Sequence, residues 1–276
     1  MILKHIGDAS RGFVCEEPGY ELFGGDYSGF ESAYLATVAG ETWKRDAWGK
    51  YYRTRDPADD PYRQMGAWFG EGRPEGKVYD LAWGFGGSWR SFLSRSPNTP
   101  LSREEIQKRC YTWRERHPAT ASRCGFWHGL DAAAITAVHD PSVAQTYKRH
   151  KLYCRKIDNL NFLFIELPSG RAIAYPGAHL VYGEHNGKPT VAIGFMDNAK
   201  GQWKPYVSPT GKPGSWHGLL VENVVQAGTR DIMAAKMLRL ETAGYEVVLT
   251  VHVNGFQYPR KAGVTGLLAA PVAMLA

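Results

Sequence analysis

Long hydrophobic runs are missing from this chain. No apolar stretch reaches the roughly 20 residues that a spanning helix needs, and the N-terminus carries no apolar signal core. The last apolar run, Gly263 to Ala276, is too short and is broken by Pro271. A membrane partner is therefore not expected, and a cytoplasmic protein is. Cysteine is scarce as well. Cys15, Cys110, Cys124 and Cys154 lie far apart with no C-x-x-C pair, the usage of free thiols in a reducing compartment rather than of a disulfide scaffold. Repeats and low-complexity segments are absent, which sets solenoids and disordered chains aside.

What remains is ample for a core. Of 276 residues, 43% are hydrophobic, enough for one large domain or two subdomains. Lys and Arg number 33 against 27 Asp and Glu, a net charge of +6. That excess suits a polyanionic partner without requiring one. Nine Trp and fifteen Tyr are many for this length. Flat rings suit base stacking, and they suit an ordinary core equally.

One stretch organises the rest: Gly24-Gly25-Asp26-Tyr27-Ser28-Gly29-Phe30-Glu31. Glu21 to Gly25 can be extended. Ser28 and Glu31 have capping-box spacing, so a helix is expected from near Gly29. Phe30, Ala33, Tyr34 and Ala36 to Val38 give it an apolar face. Asp26 is left at a strand end beside a helix N-terminus, a common place for metals and phosphates. The plainer alternative is that Asp26 caps a turn and Glu31 closes the box.

Downstream, Pro74 fits an early helical position and Gly86-Gly87 a stop. Arg73, Lys77, Leu81 and Phe85 recur every fourth residue and so form one slanted stripe. It runs from two cations to an aliphatic and an aromatic side chain. A nucleoside triphosphate has the same polarity, phosphates at one end and a flat base at the other. The competing account is a core helix with two snorkelling cations.

A capping box at Ser102 to Glu105 starts a helix to about Arg116, and Ala119 to Val138 reads as helical. Asn161 to Leu167 and Arg171 to Tyr175 flank Pro168-Ser169-Gly170 as a hairpin. Leu180 to Tyr182 and Thr190 to Phe195 read as short strands. Leu219 to Thr242 is a long amphipathic helix ended by Gly244, and Tyr245 to Val251 is a strand. Strands near both chain ends bracketing a mostly helical middle imply an α+β fold.

Together these pieces resemble family A DNA polymerases, the group of bacterial polymerase I, and above all its phage members. The first motif is Asp26 with Glu31 five residues on. The second is Arg73, Lys77, Leu81, Phe85 and Gly86. Leu167-Pro168-Ser169-Gly170-Arg171 and Val221-Glu222-Asn223-Val224-Val225-Gln226-Ala227 are similar to phage members. The third motif, a strand ending Val-His-Asp-Glu, is met only by Val251-His252.

The resemblance implies a palm-like antiparallel sheet from both chain ends with a large, mostly helical fingers insertion. Residues 1–40 and 206–252 would form the palm, 41–205 the fingers and insertion, and 253–276 an atypical tail. It implies dNTP and primer–template DNA as partners, in a bacterial or phage-infected cell. The chain starts just before the first motif, so the family's thumb and exonuclease are expected to be either absent or a separately encoded further partner. Two Mg²⁺ ions would be held about 3.5–4 Å apart by shared carboxylates, with Asp26 and the Tyr27 carbonyl as ligands. Arg73 and Lys77 would hold the triphosphate, acting with Asp26 in catalysis. Leu81, Phe85 and Tyr27 would line the nucleotide site, and Glu31 would exclude a 2′-hydroxyl. Gln226, Asn223 and His252 would meet the primer–template.

The departure is at the third motif, which here reads His252-Val253-Asn254. Valine cannot bind a metal. Val138-His139-Asp140 is no substitute, since it runs from a helix into Pro141. Codons explain the change economically. CAC-GAT-GAA-C encodes His-Asp-Glu, and loss of the A of GAT yields CAC-GTG-AAC, which is His-Val-Asn. Residues 253–276 are accordingly expected to be a frameshifted tail. Three readings follow: a polymerase core, an inactive remnant that still binds nucleotide or primer–template, and an unrelated basic α+β nucleic-acid-binding domain.

Overall fold

The computed structural model describes residues 18, 20–185, 187–198, 201–247, 249–251 and 255–261. The chain divides into two compact units, residues 1–30 with 229–269 and residues 31–228 with 270–276.

The first unit holds the expected antiparallel sheet from both chain ends. Strand β1 (Tyr20–Asp26) pairs with β11 (Gly255–Lys261), which pairs in turn with β10 (Leu249–Val251). Asp26 stands opposite Gly255, and so does Val251. The ends of all these strands thus lie at one edge of the sheet. His252, Val253 and Asn254 lie outside the described residues. The central strand falls within the stretch read as a frameshifted tail. Ladder hydrogen bonds come from the main chain, so pairing tolerates changed side chains. Pro259 lacks an N–H, and it is bordered only by Leu22 of β1, because β10 stops opposite Gln257.

The strand expected over Tyr245 to Val251 is shorter than its composition suggests. Gly244 takes φ +84°, and the Glu241 carboxylate accepts a 2.8 Å hydrogen bond from the Val247 N–H. That cap occupies a main-chain donor a strand would need.

The second unit begins with helices: α1 (Phe30–Ala39, its first residue in the other unit), α2 (Thr42–Thr54), α3 (Pro61–Ala67), α4 (Arg73–Trp83), α5 (Trp89–Arg95), α6 (Arg103–Glu115), α7 (Pro118–Ala121) and α8 (Phe126–His139). The Ser102 hydroxyl caps α6 by accepting from the Glu105 N–H at 3.1 Å, as the sequence predicts. The helix expected over Ala119 to Val138 is instead two, α7 and α8. The turn between them is tight: a Cβ on Gly125 would lie 2.8 Å from the Thr120 carbonyl oxygen. The middle is helical only to His139. Beyond it come the antiparallel sheet β2 (Gln145–Tyr147), β3 (His150–Ile157), β4 (Leu160–Glu166) and β5 (Ala172–Pro176), and the hairpin β6 (His179–His185) with β7 (Lys188–Gly194). A short pair, β8 (Met196–Asp197) and β9 (Lys204–Pro205), precedes α9 (His217–Thr242).

The core of this unit is aromatic. Trp48, Trp83, Trp113 and Trp127 are fully buried. Helices α3 and α4 meet backbone to backbone. A Cβ on Gly76 would lie 1.8 Å from the Tyr62 carbonyl oxygen, and one on Gly66 2.0 Å from that of Gly72. The inward side of α4 carries Asp80, which forms a buried ion pair with Lys44 of α2. The Lys44 ammonium also lies 5.5 Å from the Trp113 ring centre. Removing one member of such a pair strands the other charge in the core. Lys44→Met is expected to lower unfolding free energy by about 3–5 kcal/mol, read by chemical denaturation. Lys44→Met with Asp80→Leu should recover most of that loss.

His150 is buried against Phe126, with ring centres 5.7 Å apart. Burial pulls its pKa from 6.5 down to about 4, so it is neutral in the fold. Between those values the unfolded chain takes up a proton that the native state refuses. Stability is therefore lost as pH falls through this window, by about 3 kcal/mol for this group at about 1.4 kcal/mol per unit. Asp131, raised to about 6 by burial, works in the opposite sense. Tm is expected to drop from pH 6.5 to 4.5, and His150→Phe should flatten the drop.

Candidate active site

The stripe expected along α4 exists and faces outward. Gly76, Tyr79, Asp80, Ala82 and Trp83 take the buried side, while Lys77 is exposed and Arg73, Leu81 and Phe85 are half-exposed. Pro74 lies in the first turn, as predicted. The helix ends earlier than Gly86-Gly87, at Trp83, and Phe85 stands on the turn that follows. Gly86 takes φ +76° there, a conformation that favours glycine.

Arg73 is anchored. Its Nε donates to the Asp60 carboxylate at 2.5 Å, and its guanidinium sits 5.4 Å from the Tyr62 ring centre. The other Asp60 oxygen accepts from the Tyr62 N–H at 2.8 Å, capping α3. Asp60 was not singled out from sequence. The cap-then-proline pair Asp60-Pro61 is the signal that marks it.

The turn after α4 is where the other expected residues gather. The Trp127 indole donates to the Gly84 carbonyl at 2.8 Å. A Cβ on Gly84 would be 3.7 Å from the Leu35 side chain of α1. A Cβ on Gly218 of α9 would be 1.9 Å from the Phe85 carbonyl oxygen, and one on Gly228 would be 2.1 Å from the Tyr34 ring of α1. The start of α1, the turn after α4 and the first half of α9 therefore converge.

Glu31 and the α9 polar residues belong to this convergence. Burial raises the Glu222 pKa, the Glu31 carboxylate raises it further, and Arg95 opposes both. Asn223 donates from Nδ2 to the buried Tyr175 hydroxyl at 2.9 Å. Gln226 is exposed, one turn along, its Nε2 3.4 Å from Glu222 Oε1. Sequence reasoning quoted Glu222 without assigning it a part. His217 also escaped it: its ring packs 4.7 Å from that of His128, and burial lowers its pKa to about 4.

Asp26 and Tyr27 belong to the first unit. Asp26 is exposed at the end of β1. Gly29, at φ +63°, turns the strand into α1, which starts at Phe30, one residue later than a box capped by Ser28 requires, and the Tyr27 ring stacks on Phe30 at 4.4 Å. Burial raises the Tyr27 hydroxyl pKa. Among the described residues, no group of three or more His, Cys, Asp or Glu is arranged to hold a metal ion. Asp26 and the Tyr27 carbonyl are one carboxylate and one neutral oxygen, and Val253 adds nothing. That donor set does not fit two ions bridged by shared carboxylates.

The arrangement of the second unit is a surface graded from cationic to apolar, ending where three helical segments meet. No protein-family model matches the chain. A curated DNA polymerase of Bacillus phage SP02 is 31% identical to it over 242 residues, which cover 85% of this chain and 35% of that protein's length. The chain thus spans about a third of the length of this relative. No helix among the described residues is long and apolar enough to cross a membrane.

Proposed function

We propose that this chain is the palm-and-fingers core of a family A DNA polymerase, adding dNTPs to a primer 3′-hydroxyl under template direction. The similarity to a DNA polymerase over 242 residues carries the reading. The outward-facing stripe of α4 supports it. Lys77 and Arg73 would bind the triphosphate, Lys77 as an exposed point charge and Arg73 as a guanidinium pre-set by Asp60. Leu81 and Phe85 would pack on base and sugar. Glu31, beside Glu222, would crowd the sugar's 2′ position. Asn223, Gln226 and His252 would contact primer–template.

Magnesium would supply nucleophile activation and leaving-group charge; Asp26 and the Tyr27 carbonyl would hold it, and Val253 stands where the resemblance expects the second carboxylate. Binding is thus expected to be intact and the chemical step poor. Val253 favours the second reading, a remnant that binds dNTP or primer–template without catalysis. Single-turnover primer extension with Mg²⁺ or Mn²⁺, run beside a dNTP titration, separates the readings. Affinity for dNTP with measurable extension supports the enzyme, and affinity alone supports the remnant. Loss of both would return the chain to a generic basic nucleic-acid-binding domain.

A further inference from the structure

The sheet β2–β5 has a face that the nucleotide-transfer reading does not use. Its inner side is set by Leu152, Leu163, Ile165 and Tyr175, all buried. By alternation, Lys151, Tyr153 and Arg155 of β3 point the other way, as do Phe162, Phe164 and Glu166 of β4. The register places Tyr153 opposite Phe164, Arg155 opposite Phe162 and Lys151 opposite Glu166.

Three rings therefore stand in a row on an outward face. Tyr153 and Phe164 are 5.3 Å apart at 19°, and Phe164 and Phe162 are 5.9 Å apart at 16°. All three are half-exposed. Lys151 and Arg155, both exposed, flank Tyr153 with their charges 5.8 and 5.2 Å from its ring centre. The cations outnumber Glu166, the carboxylate at the far edge of the face.

We propose that this face is a stacking platform for single-stranded DNA. Nearly parallel aromatic rings accept unpaired bases, and cations beside them accept the phosphates that link those bases. A duplex hides its base faces and cannot use such a row. A purely apolar partner would leave Arg155, which stands opposite Phe162, desolvated without counter-charge. The site lies apart from the α4 stripe in sequence, and it does not depend on the nucleotide-transfer reading.

The test is fluorescence anisotropy of a labelled oligothymidylate against the full chain across a salt series. Tyr153→Ala and Phe164→Ala are each expected to weaken binding by about 5- to 100-fold, the range for losing one base stack, with the salt slope unchanged. Lys151→Gln with Arg155→Gln touches only exposed side chains, so folding is not at issue. It should reduce the salt slope by about 1.4, at about 0.7 per phosphate contact. The dNTP affinity of all these variants should match the wild type, which separates failure of this platform from failure of the polymerase reading. Unchanged oligonucleotide affinity in variants with normal melting curves would overturn the proposal. So would a change confined to self-association in sedimentation, which would make the face a contact between copies.

Discussion

Replacing Val253 with Asp and Asn254 with Glu is expected to raise single-turnover primer extension by about 10²–10³-fold. A carboxylate that shares two metal ions contributes several kcal/mol to the transition state, and each 1.36 kcal/mol is about tenfold in rate. The gain should reside in the chemical step. Affinity for dNTP measured without catalysis should change little, because the triphosphate contacts proposed for Arg73 and Lys77 do not involve the substituted positions. Mg²⁺ concentration should become limiting in the substituted chain. A control, Val253→Asn, is nearly as polar but brings no charge, and should give little. If the paired substitution extends no primer while the fold persists, the frameshift account fails. Reading the gene across codons 250 to 256 tests the same account from the other side.

The second large effect distinguishes the two cations of α4. Arg73→Ala and Lys77→Ala should each weaken dNTP binding by about 10- to 100-fold, since charge-assisted bonds to phosphate are among the strong ones. Only Arg73→Ala should also lower stability. It leaves the Asp60 carboxylate, 2% exposed, without its ion-pair partner, at a cost of about 3 kcal/mol. Lys77 is exposed, so Lys77→Ala should leave the melting temperature unchanged. Equal Tm shifts for both would contradict the geometry, and unchanged dNTP affinity in both would remove the nucleotide site.

Local chemistry was the legible part of the sequence. The Ser102 cap, the Pro74 start and the hairpin around Pro168-Ser169-Gly170 each depend on a few adjacent residues, and each formed, with Gly170 at φ +84°. The outward α4 stripe was legible because period 3.6 fixes which residues share a face. What escaped was decided by distant partners. Lysine and aspartate are surface residues by default, and the mutual pairing of Lys44 and Asp80 lets both be buried. Asp60 reads as a helix cap, and its grip on Arg73 across 13 residues is a tertiary fact. The start of α7 also has a remote partner, because the Glu41 carboxylate accepts from the Thr120 N–H at 3.2 Å. An alanine-rich segment gives no hint of that partner.

The glycine contact between α3 and α4 limits how α4 can travel. With main chains touching at Gly66 and Gly76, neither rod can slide or roll against the other without collision. Any closing motion over a ligand must carry the two together as one lever. Its pivots then fall in the connecting segments, among them Gly84 to Gly87, so stiffening those links should slow nucleotide capture without touching a single ligand-binding side chain.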